Sequence, residues 1–464
     1  MFDVDAAPLP GASGTGLSAA DVRALAHDLV AGARRSDHSL TDAEKVDLLA
    51  ALEELKSAAA ATQAHLTAAF EESQLAEQEA AGVPASRRGR GIGHQVALAR
   101  RESPRRGGQH LGLAKALMEM PCTLRALERG LLSEWRATLV VRESACLSLE
   151  DRMRLDAELA ADSGRLEGWG DGRIVAQAKR IAARLDPASM VARARRAAAE
   201  RHVSIRPAPD TMAWVGALLP VAEGVAVYAS LKAAADTARA AGDVRGKGQV
   251  MADTLVQRVT GRSADEPVPV TVDLVMTDRA LLRGDNEPAH LPGYGTVPAQ
   301  WARDLVEAAV ATTGRSAAGV QAWCRRLFTA PGTGKLISME SRARRFPAGL
   351  ATFVDLRDQT CRTPWCDAPI AHRDHPWSWA GGGPTTAQNA QGLCEACNHA
   401  KQAPGWRART VAGPRHTVET VTPTGHHYRS TAPPPPGTPP GEHLVPYEID
   451  DNLPPVPEQL PAVG

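Results

Sequence analysis

Hydrophobic and polar positions along this chain repeat with two different periods. Ser18 with Asp21, and Thr41 with Glu44, have the spacing of helix N-caps ahead of apolar runs. After Thr41 the apolar positions Val46, Leu48, Leu49, Leu52, Leu55, Ala59, Leu66 and Phe70 recur at helical spacing. They predict one long amphipathic helix to about residue 79, stopped by Gly82-Val83-Pro84. Further helices are predicted across 110–161, with starts at Pro121, Ser133 and Ser148, and then over 171–184 and 187–201.

Beyond residue 202 the period shortens to two. Segments 202–206 and 211–218 read as strands about a Pro-Ala-Pro-Asp turn, and 268–276 (VPVTVDLVM) is the clearest strand by its β-branched content. Helices are predicted from Pro220 to about 241, over 247–260 and from about Pro298, with a strand pair at 325–329 and 336–339. A helix over 348–357 leads into a cysteine-rich stretch, followed by a small hairpin at 407–410 and 416–422. His426 and His427 read as part of a solvated loop. Residues 1–16 and the proline-rich 430–464 cannot build a core and are expected to be extended tails. The expected fold class is therefore α+β, mainly α with small β elements. A helical domain spans 17–335 and a compact module 340–412.

Composition narrows this little. Lys plus Arg and Asp plus Glu both number 53, so no global basic field points to nucleic acid, and any such attraction must be local. Local basic clusters exist: Arg87, Arg88, Arg90, Arg100, Arg101, Arg105 and Arg106, a second group at Arg193, Arg195, Arg196 and Arg201, and Arg342, Arg344, Arg345 and Arg357 beside the cysteine-rich stretch. No apolar run is long enough to span a bilayer, and the N-terminus lacks the basic start and apolar core of a secretory leader. A cytoplasmic protein with reduced thiols is the expectation, with Cys122, Cys146 and Cys324 as core residues.

Four of the seven cysteines concentrate between 361 and 397. Cys361 and Cys366 form one short-spaced pair, and Cys394 and Cys397 another. Two such pairs about thirty residues apart suit one tetrahedral, structural Zn²⁺. Disulfides, or free buried cysteines, are the other readings. Between the pairs stand Asp374-His375, a Gly381-Gly382-Gly383-Pro384 loop, and Asn389; Asn398 and Lys401 follow the last cysteine. Adjacent residues of an extended strand face opposite ways, so Asp374 and His375 can serve one site only at a twist or strand end.

The run of a cysteine pair, D-H, G-G-x-x-T-x-x-x-N and C-x-x-C-N-x-x-K, over about 357–406, resembles the HNH nucleases, whose catalytic unit is a ββα-metal fold. That resemblance implies a metal-dependent endonuclease acting on DNA, expected to be double-stranded. It makes His375 the general base, has Asp374 and Asn398 hold a catalytic divalent cation such as Mg²⁺, makes Asn389 the residue that orients the His375 ring, and puts Lys401 on a phosphate. Asn398 stands where the family name has a histidine; His399, next to it, is ranked lower because a helix turns neighbours about 100° apart. The arginines expected on nucleic acid are Arg342, Arg344, Arg345 and Arg357. The segment from about 40 to 335, through ALLPVAEGVAVYASL, PVTVDLVMTDRALL and HLPGYGTVPA, resembles the domain of unknown function that precedes such modules in a large bacterial family. The competing class is a non-catalytic zinc knuckle that binds nucleic acid or regulates a partner. Such a module needs the cysteines but not the imidazole and two amides.

Overall fold

The computed structural model describes residues 17–36, 40–262, 274–312, 344–413 and 415–434. Helices α1 (Ala19–Ser36) and α2 (Asp42–Ala80) come first. They are followed by α3 (Ile92–Arg100), α4 (Pro104–Met118), α5 (Pro121–Glu128), α6 (Glu134–Ser144), α7 (Leu149–Ala160), α8 (Asp171–Leu185) and α9 (Pro187–Ala199). The capping box that opens α2 is complete. The Thr41 side chain accepts from the Glu44 amide, and the Glu44 carboxylate accepts from the Thr41 amide at 2.7 Å.

Two apolar clusters hold these helices together. In one, Leu113, Leu117, Leu124 and Leu127 pack on Ala60, Ala61 and Ala64 of α2. In the other, Met120, Leu132, Val140, Leu155, Leu159, Ile174 and Ile181 join α5 through α8. Each fully buried leucine or isoleucine here stabilises the fold by roughly 1.5–3 kcal/mol. One polar device supports them. The start of α5 has no cap of its own, and the buried Asp156 carboxylate of α7 accepts from the Cys122 and Thr123 amides and the Thr123 hydroxyl at 2.6–2.8 Å.

The long helix is present, but its buried face is not the expected one. Val46, Leu48, Leu49, Leu52 and Leu55 are exposed, and burial begins at Ser57 and runs through the alanines. The small side chains let α4 and α5 approach closely, so the contact forms where α2 is thin rather than where it is most apolar.

The middle of the chain contains an antiparallel hairpin, β1 (His202–Ala208) with β2 (Met212–Leu218), in the register His202 opposite Leu218. Helices α10 (Val221–Ala240), α11 (Lys247–Thr260) and α12 (Asp278–Leu282) follow, then β3 (Ala289–Leu291) paired with β4 (Gly295–Val297), and α13 (Ala299–Thr312). Only the end of the strand expected at 268–276 is described, where Val275 bridges to His290. The strand pair expected at 325–339, Cys324 and Arg342 lie outside the described residues. No helix among the described residues is long and apolar enough to cross a membrane.

The C-terminal part starts at α14 (Ala348–Asp358) and continues through β5 (His372–Asp374), β6 (Gln391–Leu393) and α15 (Glu395–Lys401). A three-stranded meander closes it: β7 (Arg407–Val411), β8 (Thr417–Val421) and β9 (His427–Thr431). Two expectations need correction here. His427 opens β9 opposite Val421 rather than lying in a loop. The boundary drawn at 412 falls between two paired strands, and Arg362 of the cysteine-rich turn donates to the carbonyls of His416 and Ser430. The described residues are mainly helical with small antiparallel sheets, an α+β arrangement.

Candidate metal centre and active site

The helix α14 ends at Asp358, and the chain turns sharply through Gln359 at φ +59°. The first cysteine turn is held by the Cys361 amide donating to Ala368 O and the Cys366 amide donating to Thr363 O. The second pair sits at the start of α15. Cys394 is its N-cap residue, its sulfur accepting from the Cys397 amide at 3.5 Å. The four sulfurs lie within 4.8 Å of one another, and Cys366 Sγ to Cys394 Sγ is 3.8 Å. A tetrahedral zinc with Zn–S near 2.3 Å has S···S edges of about 3.8 Å, so the four thiols fit that ion. The four thiols share their protons unequally, hydrogen bonds among them lowering Cys361 and Cys394 and raising Cys366 and Cys397; a metal would require all four as thiolates. All four are free thiols, three of them buried, and together they could hold a metal such as zinc.

Strand β6 follows from this anchor. Its register with β5 is His372–Leu393, Arg373–Gly392 and Asp374–Gln391. The Gly392 amide donates to Asp358 Oδ2 at 2.8 Å, and its carbonyl accepts from the Arg362 amide at 2.9 Å. Burial would raise the Asp358 carboxyl, but Arg357, His416 and Arg362 around it hold it below the ordinary carboxylate value. Arg357 is committed to this task. Its guanidinium bonds Asp358 and the carbonyls of Ala387 and Ala390, and only 12% of its side chain is exposed. The expectation that Arg357 reaches nucleic acid is therefore corrected: it points inward, as the counter-ion of a buried acid.

Strand β5 ends at Asp374, which resolves the geometry required of two adjacent residues. Asp374 and His375 line one cavity of about 660 Å³ together with Asn398 of α15, Arg344, Arg345 and Phe346. His375 is buried, its Nε2 is 2.9 Å from Thr385 Oγ1, and its ring lies 4.5 Å from that of Phe346. Burial pushes the imidazole below its ordinary value; the Asp374 charge opposes that, and Lys401 and Arg344 add to it. The ring is thus kept neutral at pH 7.

Asn389 does not orient that ring through its side chain. Its Oδ1 accepts from the Trp377 amide at 2.9 Å, and its Nδ2 donates to Trp377 O and Pro384 O at 3.0 and 2.9 Å. It staples the two ends of the glycine loop, and Thr385 at the end of that loop meets the ring instead. Lys401 is likewise turned inward. It donates to Asp374 Oδ2 at 2.5 Å and to the His375 carbonyl, so it neutralises Asp374. His372 and Asn398 line the cavity, whereas His399 is exposed and does not.

Against known families, the model of a domain of unknown function, DUF222, matches residues 49–358. The chain belongs to the DUF222 family. No curated protein and no solved structure matches it. The DUF222 region ends at Asp358, just before Cys361, yet the two parts are packed together. Helix α3 of the DUF222 region carries the contact. Leu98 packs with Ala403 and Trp406, Gln95 accepts from the Thr424 hydroxyl at 3.0 Å, and His94 lies half-buried beside Cys394 and Ala396. Gly91, at φ +84°, is required here: a Cβ would stand 2.6 Å from the Trp406 ring nitrogen.

Sequence reasoning missed Thr385, Phe346 and His94. Thr385 was visible inside the G-G-x-x-T spacing, while nothing in the pattern marked Phe346 or the distant His94.

Proposed function

We propose that the C-terminal module is a metal-dependent phosphodiesterase of the HNH type that cleaves DNA. The observation carrying this reading is the convergence of Asp374, His375 and Asn398, from a strand end, a loop and a helix, on one basic-rimmed cavity. His375, neutral and held by Thr385, accepts a proton from water. Asp374 and Asn398 offer hard oxygen donors suited to Mg²⁺ or a similar cation, which when bound supplies Lewis-acid stabilisation of the charge developing on phosphate. Arg344 and Arg345 supply positive charge at the rim for the phosphate backbone. Cys361, Cys366, Cys394 and Cys397 would hold a zinc, which would fix the hairpin against α15. The HNH pattern over 357–406 supports the same assignment.

One observation favours the other class, a zinc module that binds nucleic acid without cutting it. The Lys401–Asp374 ion pair already satisfies the carboxylate. Nicking of supercoiled plasmid across a Mg²⁺ series separates the two. His375→Ala is expected to lower the rate by about 10²–10⁴-fold with zinc content unchanged. Asn398→Ala is expected to raise the Mg²⁺ requirement more than His399→Ala. Equal nicking by the parent and His375→Ala rejects the base assignment, and no nicking by the parent under any metal favours the binding module.

A further inference from the structure

A second cavity, of about 280 Å³, opens on the DUF222 region far along the sequence from the cleft. It is lined by Arg165, Trp169, Arg173, Ala176, Gln177 and Arg180. Arg173, Gln177 and Arg180 recur at i, i+4 and i+7, so they share one face of α8, and Ala176 leaves room beside them. No carboxylate lines the cavity. Asp171, at the start of the same helix, is engaged by Arg136 and the Trp135 ring nitrogen.

Several arginines of the helical body are paired with acids: Arg100 with Glu134, Arg136 with Asp171, Arg152 with Glu119, Arg154 with Glu150 and, on α8 itself, Arg184 with Glu158. What sets this pocket apart is that its three arginines line one cavity beside Trp169 with no acid in the lining. Arg165, Arg173 and Arg180 make no ion pair among the described residues. Arg180 bonds the neutral Gln177 at 3.0 Å, and Arg173 stacks over the Trp169 ring at 4.2 Å. Trp169 itself packs against the second helical cluster, so the platform is fixed from below. A guanidinium stacked on an aromatic face keeps its edge free, and that edge matches two phosphate oxygens.

We propose that this pocket grips a phosphodiester group of the nucleic-acid backbone and anchors the substrate at a second point. The inference rests on the DNA-cleaving reading of the cleft for its choice of ligand. Sequence is not read here, because phosphate contacts position a strand without distinguishing bases.

The test is a fluorescence-anisotropy titration of full-length His375→Ala protein with a short labelled duplex across a salt series. Removing three phosphate contacts by R165A/R173A/R180A is expected to weaken binding by about tenfold or more. It should also flatten the slope of log K against log salt by about 2.7. The triple variant R195A/R196A/R201A removes the same formal charge from another exposed face, and is expected to leave the slope close to the parent's. Thermal melts of both variants are expected to match the parent, since all six side chains are exposed. Unchanged affinity and slope in the first variant overturn the proposal, as does an equal loss in both. Displacement of the duplex by micromolar inorganic phosphate would reassign the pocket to a small free anion. Arginine-dependent sedimentation with anionic vesicles, without duplex binding, would reassign it to a membrane surface. The two readings can fail separately. A first variant that binds like the parent while the wild-type chain nicks plasmid sinks only the anchor. A parent that binds through these arginines but never nicks sinks only the nuclease.

Discussion

Leu117 and Cys397 are both buried, but what surrounds them differs. Around Leu117 stand leucines and alanines of α2, α4 and α5, and the contact is non-directional. Around Cys397 stand three more thiols and Leu393, with few other apolar side chains. Nearby, the C-terminal module buries two acids, an arginine, two histidines, an asparagine and a glutamine: Asp358, Glu419, Arg362, His375, His416, Asn389 and Gln391. The helical body, apart from buried polar groups such as Asp156, is therefore stabilised mainly by area removed from water, and the module more by a set of directional bonds plus, on the reading above, a metal. A core of the first kind degrades gradually when a side chain is trimmed. One of the second kind fails abruptly when a partner is removed, because the remaining polar groups are left buried and unpaired.

The strongest way to break this contrast is at the thiols. Cys394→Ser, or a zinc chelator, is expected to release one equivalent of metal and unfold the module while most of the helical circular dichroism persists. Metal analysis and a thermal melt followed in the far ultraviolet report both. A single unaltered melt after metal removal would show that the sulfurs are ordinary core residues.

Next in size is Asp358→Asn. It leaves Arg357 and Arg362 without their shared counter-ion and weakens the bond to the Gly392 amide, at a cost of about 3–5 kcal/mol by the usual behaviour of a broken buried pair. Urea denaturation measures it, and a loss under about 1 kcal/mol would mean that solvent reaches this pair. Leu117→Ala probes the other region, with an expected loss of about 2–5 kcal/mol according to how far α2 and α4 close the cavity. The two regions are distinguished by the response of zinc content, which Leu117→Ala leaves unchanged.

The last probe is pH, which needs no substitution. Burial, helped by the Arg357 charge, pushes His416 down to about 3. The unfolded chain binds a proton there near pH 6.5 and the folded chain does not. Its contribution to stability is thus complete above about 6.5 and is lost progressively down to about 3, at up to about 1.4 kcal/mol per pH unit. The urea midpoint of the parent should fall across that window more steeply than that of His416→Gln. Parallel curves would place the imidazole in contact with water.

The same contrast explains how much could be read from the residues alone. Helix starts at Thr41, Ser133 and Ser148 were legible because a capping side chain acts on its own next turn. The four cysteines were legible because metal geometry is local in spacing. The buried face of α2 was not, since periodicity reports which side chains are apolar and not which neighbours are thin enough to approach. The inward turn of Arg357 and Lys401 was equally hidden. A basic residue beside a cavity looks the same in sequence whether it faces solvent or neutralises an acid brought in by the fold. Asn389 shows the same limit: its position in the pattern was clear, but its work on the loop backbone was not.

The bond from Thr424 to Gln95 joins residues 329 positions apart, and Trp406 covers the glycine at 91. During synthesis, helix α3 therefore emerges long before the surface that covers it. At 5–20 residues per second the wait lasts roughly 15–60 s. Throughout it, Leu98 and the notch at Gly91 are open to water, to chaperones and to other nascent chains. Closing that notch is thus the work of a stretch of chain made much later than the helix it covers.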